Sequence, residues 1–287
     1  MIDRGTGPAV VLVPGIQGRW EWMRPTVDAL ARRGRVVSYS LCDEPSSDDP
    51  CAPDLGFENF VLQLESVLDR AGLDRAVIIG VSFGGLIVSE FAARHPERVA
   101  GLVFASALPP TWVPNRRERF YMQWPMLGSP AFILTSPARL LPEVVSALPS
   151  VGGVARFTVT HAWSVLTALT SPARMARRGR WAVAHRFADL GAVTAPALVL
   201  TGEDQLDQVV APRLTREFLR LLPHARAGIL KGTGHIGLVT QPDAFAETLA
   251  PFVAGCHGRT ASAGSPQAGR GVPTPGSVRA GYGAARL

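Results

Sequence analysis

Short unbroken apolar runs alternate along this chain with stretches whose apolar residues return every three or four positions. Residues 9–13, Ala-Val-Val-Leu-Val, form the first run and stop at Pro14-Gly15, the pattern of a strand covered on both faces in a parallel sheet. A helix is predicted over 22–33, closed by Gly34, and a second strand over 36–41. After a proline-containing acidic loop over 42–54, Phe60, Leu64, Val67 and Leu68 share one helical face that ends at Gly72. Residues 76–79 are the next buried strand and lead directly into Gly80-Val81-Ser82. A helix over 83–94, stopped by Pro96, and a strand over 99–105 continue the alternation. Strand following helix in this way predicts an α/β protein with a mostly parallel sheet flanked by helices.

The alternation breaks at Pro109-Pro110. From there to about residue 189 the chain carries scattered helical patches, Trp112, Trp124, Trp163 and Trp181, and repeated Ser-Pro and Leu-Pro breaks. This predicts an inserted, mainly helical cap over 110–190. The strand and helix pattern resumes with a strand at 197–200, a helix at 213–222, a strand at 227–230 and a helix at 244–253. Residues 1–109 and 191–254 are therefore expected to form one core. Beyond Gly255 the sequence loses periodicity and is rich in Gly, Ala, Pro, Ser, Thr and Arg, so 255–287 is expected to be a disordered tail.

Composition narrows the class of protein. A chain of 287 residues with 47% apolar content can bury a sizeable core. No apolar run approaches the ~18 residues of a membrane span, so the expectation is a soluble protein with no membrane partner. Met1 leads through charged Asp3 and Arg4 straight into a strand, without the zones of a secretory signal, which points to the cytoplasm. Cys42, Cys51 and Cys256 are too few and scattered for a disulfide framework or zinc cage, and no His/Asp/Glu spacing suggests a metal. No cofactor is called for. The net charge of +6 is unevenly spread: the tail holds Arg259, Arg270, Arg279 and Arg286 and no acid, and residues 111–190 hold ten arginines against Glu118, Glu143 and Asp189. Since the remainder is net acidic and Lys231 is the only lysine, a nucleic-acid partner is not expected.

Three separated segments carry the chemistry. Ser82, in Gly80-Val81-Ser82-Phe83-Gly84, lies between a predicted buried strand and a predicted helix, where a tight turn lifts its hydroxyl above the sheet. In its plainest role the same serine is a turn residue and helix N-cap. His235 stands between glycines after the 227–230 strand; the other histidines fall at a helix end (His95), a turn (His224), the tail (His257) or the cap (His161, His185). Glu203, Asp204 and Asp207 all follow the 197–200 strand and are candidate acids. A serine hydroxyl becomes a competent nucleophile when an imidazole takes its proton and a carboxylate orients that imidazole.

With a glycine-flanked serine, an acidic loop and a glycine-flanked histidine in that order, residues 8–254 resemble the α/β-hydrolase superfamily, specifically a serine-nucleophile, cap-containing member. The resemblance implies Ser82 as nucleophile and His235 as base. It places the acid three residues after the loop glycine, where Gln205 stands here. Asp207, followed by Val209-Val210-Ala211-Pro212 as in the family, is preferred over Asp204 through a two-residue extension. It further implies an oxyanion hole from the amides of Phe83 and Ile16, the latter in Pro14-Gly15-Ile16-Gln17-Gly18, where Pro14-Gly15 replaces the usual His-Gly. Gln17 could add a side-chain donor. The implied activity is acyl-enzyme hydrolysis of a small ester, thioester, lactone or carbon-carbon bond substrate. Acyl transfer, perhydrolysis or a catalytically silent binding role are the alternatives on the same scaffold. The cap would shape the pocket, with Trp112 and Trp163 as substrate-binding residues and its arginines available to an anionic group. The antiparallel strands that usually precede the first parallel strand are expected to be missing.

Overall fold

In the computed structural model, which describes residues 1–168 and 170–263, the apolar runs form one seven-stranded sheet. The strands are β1 (Ile2–Arg4), β2 (Ala9–Val13), β3 (Arg35–Ser38), β4 (Ala76–Val81), β5 (Val99–Ala105), β6 (Ala197–Thr201) and β7 (Arg226–Ile229), in the spatial order β1-β3-β2-β4-β5-β6-β7. All neighbours from β3 to β7 pair in parallel. Val11 to Val13 of β2 and Ala76 to Ile79 of β4 are fully buried, because helices cover both faces and leave no polar side.

The helices of the core are α1 (Arg24–Ala31), α2 (Glu58–Arg70) and α3 (Gly84–Arg94). The cap between β5 and β6 holds α4 (Arg116–Gln123), α5 (Pro125–Ala147), α6 (Val151–Thr167) and α7 (Pro172–Ala184). The core resumes with α8 (Pro212–Thr215), α9 (Phe218–Leu221), α10 (Gly237–Thr240) and α11 (Pro242–Ala263). One apolar layer packs α2 and α3 on one face of the sheet, through residues such as Phe60, Leu64, Ile87 and Phe91. The other packs α1 and α11 on the opposite face, through Val27, Leu30, Phe245 and Leu249.

The structure corrects three expectations. An antiparallel strand does precede β2: β1 pairs with β3, Ile2 opposite Ser38. Only Ile2 of its three residues packs against the apolar core, while Arg35 donates to both oxygens of Asp3 and Arg4 pairs with Asp28, so no hydrophobic run announced it. The single helix expected over 213–222 is divided into α8 and α9, with the buried Thr215 hydroxyl donating to the Ala107 carbonyl at 2.9 Å. Finally, 255–263 is not part of a tail but the end of α11. Phe252 and Cys256, one helical turn apart, reach β5 at Gly101, where an added Cβ would lie 2.6 Å from the Cys256 sulfur. The rest of the expected tail, 264–287, lies outside the described residues.

Three of the cap's ten arginines seat the cap on the core. Arg174 donates to both oxygens of Glu44 at 3.2 Å, and Arg177 to Asp43 at 3.0 Å. Arg178, fully buried, donates to Asp43 (2.8 and 2.6 Å), to Glu44 (2.6 Å) and to the Ile16 carbonyl (2.6 Å). Removing one member of a buried ionic cluster strands its partners in a low dielectric, which costs about 3–5 kcal/mol. Because Arg174 and Arg177 still hold the outer oxygens, Arg178→Met is expected to lose about 3 kcal/mol of unfolding free energy in urea titration. Arg220→Ala, which breaks only an exposed pair with Glu217, should leave the midpoint nearly unchanged. Equal midpoints for the two variants would show that the cluster does not stabilise the fold.

Candidate active site

The candidate site is assembled at the carboxyl ends of β4, β6 and β7, which share one rim because the strands are parallel. At the end of β4 the chain reverses sharply into α3. Ser82 sits in the turn with φ of +53°, a left-handed conformation that costs a residue with a side chain about 1–2 kcal/mol. Backbone bonds hold it there: its amide donates to the Ala105 carbonyl at 3.1 Å, and its carbonyl accepts from Gly85 at 3.0 Å and Leu108 at 2.9 Å. Gly80 and Gly84 are required by space. A Cβ on Gly80 would lie 2.7 Å from the Gly84 carbonyl oxygen, and one on Gly84 2.7 Å from the carbonyl oxygens of both Val13 and Pro14. Phe83 follows at the start of α3, so its amide has no acceptor within the helix.

The loop after β2 lies against this turn. A Cβ on Gly15 would stand 3.3 Å from the Cβ of Ser82 and 3.2 Å from Oε1 of Gln17, so the serine and the glutamine side chain approach the same backbone. The Gly15 carbonyl accepts from the Gly18 amide at 2.9 Å, which turns the Ile16 amide of the same trans peptide to the opposite side. The Ile16 carbonyl is held by Arg178 from the cap. Both peptide planes of the loop are thereby fixed before any ligand binds.

Asp207 and His235 meet across the β6 and β7 loops, with Asp207 Oδ2 3.4 Å from His235 Nδ1. The other carboxylate oxygen of Asp207 accepts from the amides of Val209 (3.0 Å) and Val210 (2.9 Å). The two loops are in close contact: a Cβ on Gly234 would fall 2.4 Å from the Leu206 carbonyl oxygen. Burial drives the Asp207 carboxyl upward, but the attraction and hydrogen bond of His235 and the two amides outweigh it and hold the group below the usual carboxylate range. Burial likewise drives His235 downward, and Asp207, with a further contribution from Glu143, overrides it and raises the imidazole above its ordinary value. Asp204 is elsewhere, exposed and paired with Arg216 at 2.9 Å.

Ser82 and His235 keep 7% and 8% of their surface accessible. Of the two cap tryptophans expected to bind substrate, Trp112 is half-buried against the core that contains Phe83, whereas Trp163 is 67% exposed on α6. Two residues at the rim were not singled out from the sequence. Arg178 reaches the Ile16 carbonyl, and Glu143 of α5, fully buried, accepts from the Ile236 amide at 3.2 Å next to His235. Burial, with repulsion from Asp207, lifts the Glu143 carboxyl above the usual range against the pull of its amide donors and His235. Each had a faint signal: Glu143 is the lone acid between Glu118 and Asp189, and Arg174, Arg177 and Arg178 fall on one face of a helix while Asp43-Glu44 stand in an acidic loop.

Among the described residues no helix is long and apolar enough to cross a membrane. The model of the alpha/beta hydrolase family matches residues 10–248. Over 266 residues the chain is 29% identical to a putative carbamate hydrolase, RutD, of Variovorax paradoxus, covering 86% of this chain and 92% of that one. A 2-hydroxy-6-oxo-2,4-heptadienoate hydrolase of Pseudomonas putida is 36% identical over 110 residues, and the match spans 37% of this chain and 40% of that protein. Among solved structures, the enol-lactonase of Burkholderia xenovorans superposes with a TM-score of 0.67 at 22% identity over 88% of this chain and 95% of the other, a likeness of fold.

Proposed function

Because this chain belongs to the alpha/beta hydrolase family, we propose that it is a serine hydrolase in which Ser82, His235 and Asp207 form the catalytic triad. The observation that carries this reading is the buried Asp207 and His235 pair, placed on the same rim of the sheet as a serine held in a left-handed turn. His235 Nε2 takes the proton of Ser82 as Oγ attacks the substrate carbonyl carbon. Asp207 accepts from Nδ1–H and stabilises the imidazolium that forms. The amides of Ile16 and Phe83 receive the developing oxyanion, with Gln17 beside them. When the tetrahedral intermediate collapses, the leaving group departs with the proton from His235. A water then gives its proton to His235 and attacks the acyl carbon, releasing a carboxylic acid and restoring Ser82.

The substrate is a small molecule with an activated carbonyl: an ester, thioester, lactone or vinylogous diketone. The names of the relatives, a carbamate hydrolase and a dienoate hydrolase, fit that carbonyl class. Trp112, half-buried against the core that contains Phe83, is the cap aromatic that we assign to the body of the substrate. The salt bridges of Arg174, Arg177 and Arg178 to the core remove those three from any role in attracting an anionic substrate.

A fluorophosphonate probe tests the proposal, because it phosphonylates a serine activated in this way and expels fluoride. Digestion and mass spectrometry should find the adduct on the peptide containing Ser82; an unlabelled protein, or an adduct elsewhere, would refute it. The pH profile offers a second check. A general base must be neutral, and His235 is raised above the ordinary 6.5, so kcat/KM for an ester should fall as pH drops through a value above 6.5. An acid limb at or below that value would contradict the electrostatic arrangement.

A further inference from the structure

The carboxyl-terminal turn of α5 is the place where the cap touches the segment that carries His235. Glu143, fully buried, spends Oε2 on the amide of Ile236 at 3.2 Å, and its Oε1 has no hydrogen-bond partner among the described residues. One turn further along, the Ala147 carbonyl accepts from Nε2 of Gln241 at 3.1 Å. Between these two contacts, Ser146 lies against Gly232, where an added Cβ would stand 3.6 Å from the Ser146 carbonyl oxygen. The His235 loop is thus gripped before and after the imidazole by one turn of a cap helix, and the only ionisable member of that grip is a carboxylate adjoining the base.

We propose that Glu143 is a positioning residue for His235: by holding the backbone immediately beyond the imidazole, it makes seating of the cap a condition for alignment of the base. The inference rests on the serine-hydrolase reading. Its physical ground is the loop itself. Gly232, Gly234 and Gly237 flank His235, so the local backbone is intrinsically permissive and has to be fixed by contacts from outside. On the core side that contact is the abutment of Gly234 on the Leu206 carbonyl. On the cap side it is the bond from the Ile236 amide to Oε2 of the fully buried Glu143, a contact that strands a buried donor when the acceptor is removed. A base displaced by a fraction of an ångström from its proton loses rate while the substrate still binds, so the effect belongs to kcat rather than KM.

The test compares Glu143→Leu, which keeps the volume and removes the acceptor, with Glu143→Gln, whose amide oxygen can still accept from Ile236. Each is measured by thermal melting, by fluorophosphonate labelling rate and by steady-state hydrolysis of a p-nitrophenyl ester. Glu143→Leu is expected to slow labelling and lower kcat by about tenfold or more with KM within about twofold, and Glu143→Gln to recover to within about threefold of the parent. Gln241→Leu serves if Glu143→Leu does not fold: it loosens the same turn from the other side and should lower kcat by about threefold with KM unchanged. A role confined to stability predicts lower melting temperatures with unchanged labelling per folded molecule in all three variants, and that result overturns the proposal. If the parent protein itself fails to label, the serine-hydrolase reading falls instead, so the two failures are distinct.

Discussion

Ser82→Ala is expected to lower kcat/KM for an activated ester by about 10⁴- to 10⁶-fold, the range found when a triad nucleophile is removed and only binding and oxyanion stabilisation remain. The fold supplies its own control. Ser106, at the end of the neighbouring β5, also has a positive φ, +42°, and its amide donates to the Leu200 carbonyl at 2.9 Å. It lies close to the same rim, but no helix starts directly behind it, so it lacks the unpaired helical amides that stand at the turn of Ser82 and that the proposed mechanism uses. Ser106→Ala should therefore retain activity to within a few fold. Comparable losses in both variants would mean that disturbance of the strained rim, and not removal of a nucleophile, explains the defect.

Asp207→Asn is expected to reduce kcat by about 10⁴-fold with the fold intact. Oδ1 of Asp207 accepts from two amides, Val209 and Val210, so in the variant the asparagine oxygen is kept at that position. Its NH₂ group must then take the place of Oδ2, facing His235 Nδ1. Two donors cannot share that contact. The imidazole proton moves to Nε2, and the lone pair that should receive the proton of Ser82 is lost. Asp204→Asn breaks only a surface pair with Arg216 and should leave turnover within about twofold, since exposed ion pairs contribute little. Steady-state kinetics of the two variants side by side assign the acid, and a reversed order would transfer that role to Asp204.

The parts of this arrangement that could be read from the sequence are those fixed by local spacing. β2 and β4 are legible because burial on both faces demands uninterrupted apolar residues, and the turn at Ser82 because Gly80 and Gly84 are the only residues that fit its contacts. His235 is legible through the glycines around it. Other elements depended on partners distant in the chain. β1 has only three residues and is held by charge across to Arg35 and Asp28, while the extension of α11 depends on the space that Gly101 leaves for Cys256. Which of Asp204 and Asp207 meets His235 and the amides of Val209 and Val210 is not determined by spacing within the loop. Arg178 and Glu143 act on groups 162 and 93 positions away, Ile16 and Ile236, far beyond the reach of any periodicity.

The ionic seat of the cap bears on how specificity can be exchanged within this scaffold. A chimera that imports a foreign cap between β5 and β6 also discards Arg174, Arg177 and Arg178, and leaves Asp43 and Glu44 buried with their charges unanswered. Such a graft has to travel with a matching replacement of the loop after β3, although the two segments are separated by about 130 residues of chain. The unit of recombination here is consequently a pair of complementary segments, and libraries that shuffle the cap alone will be depleted of folded members.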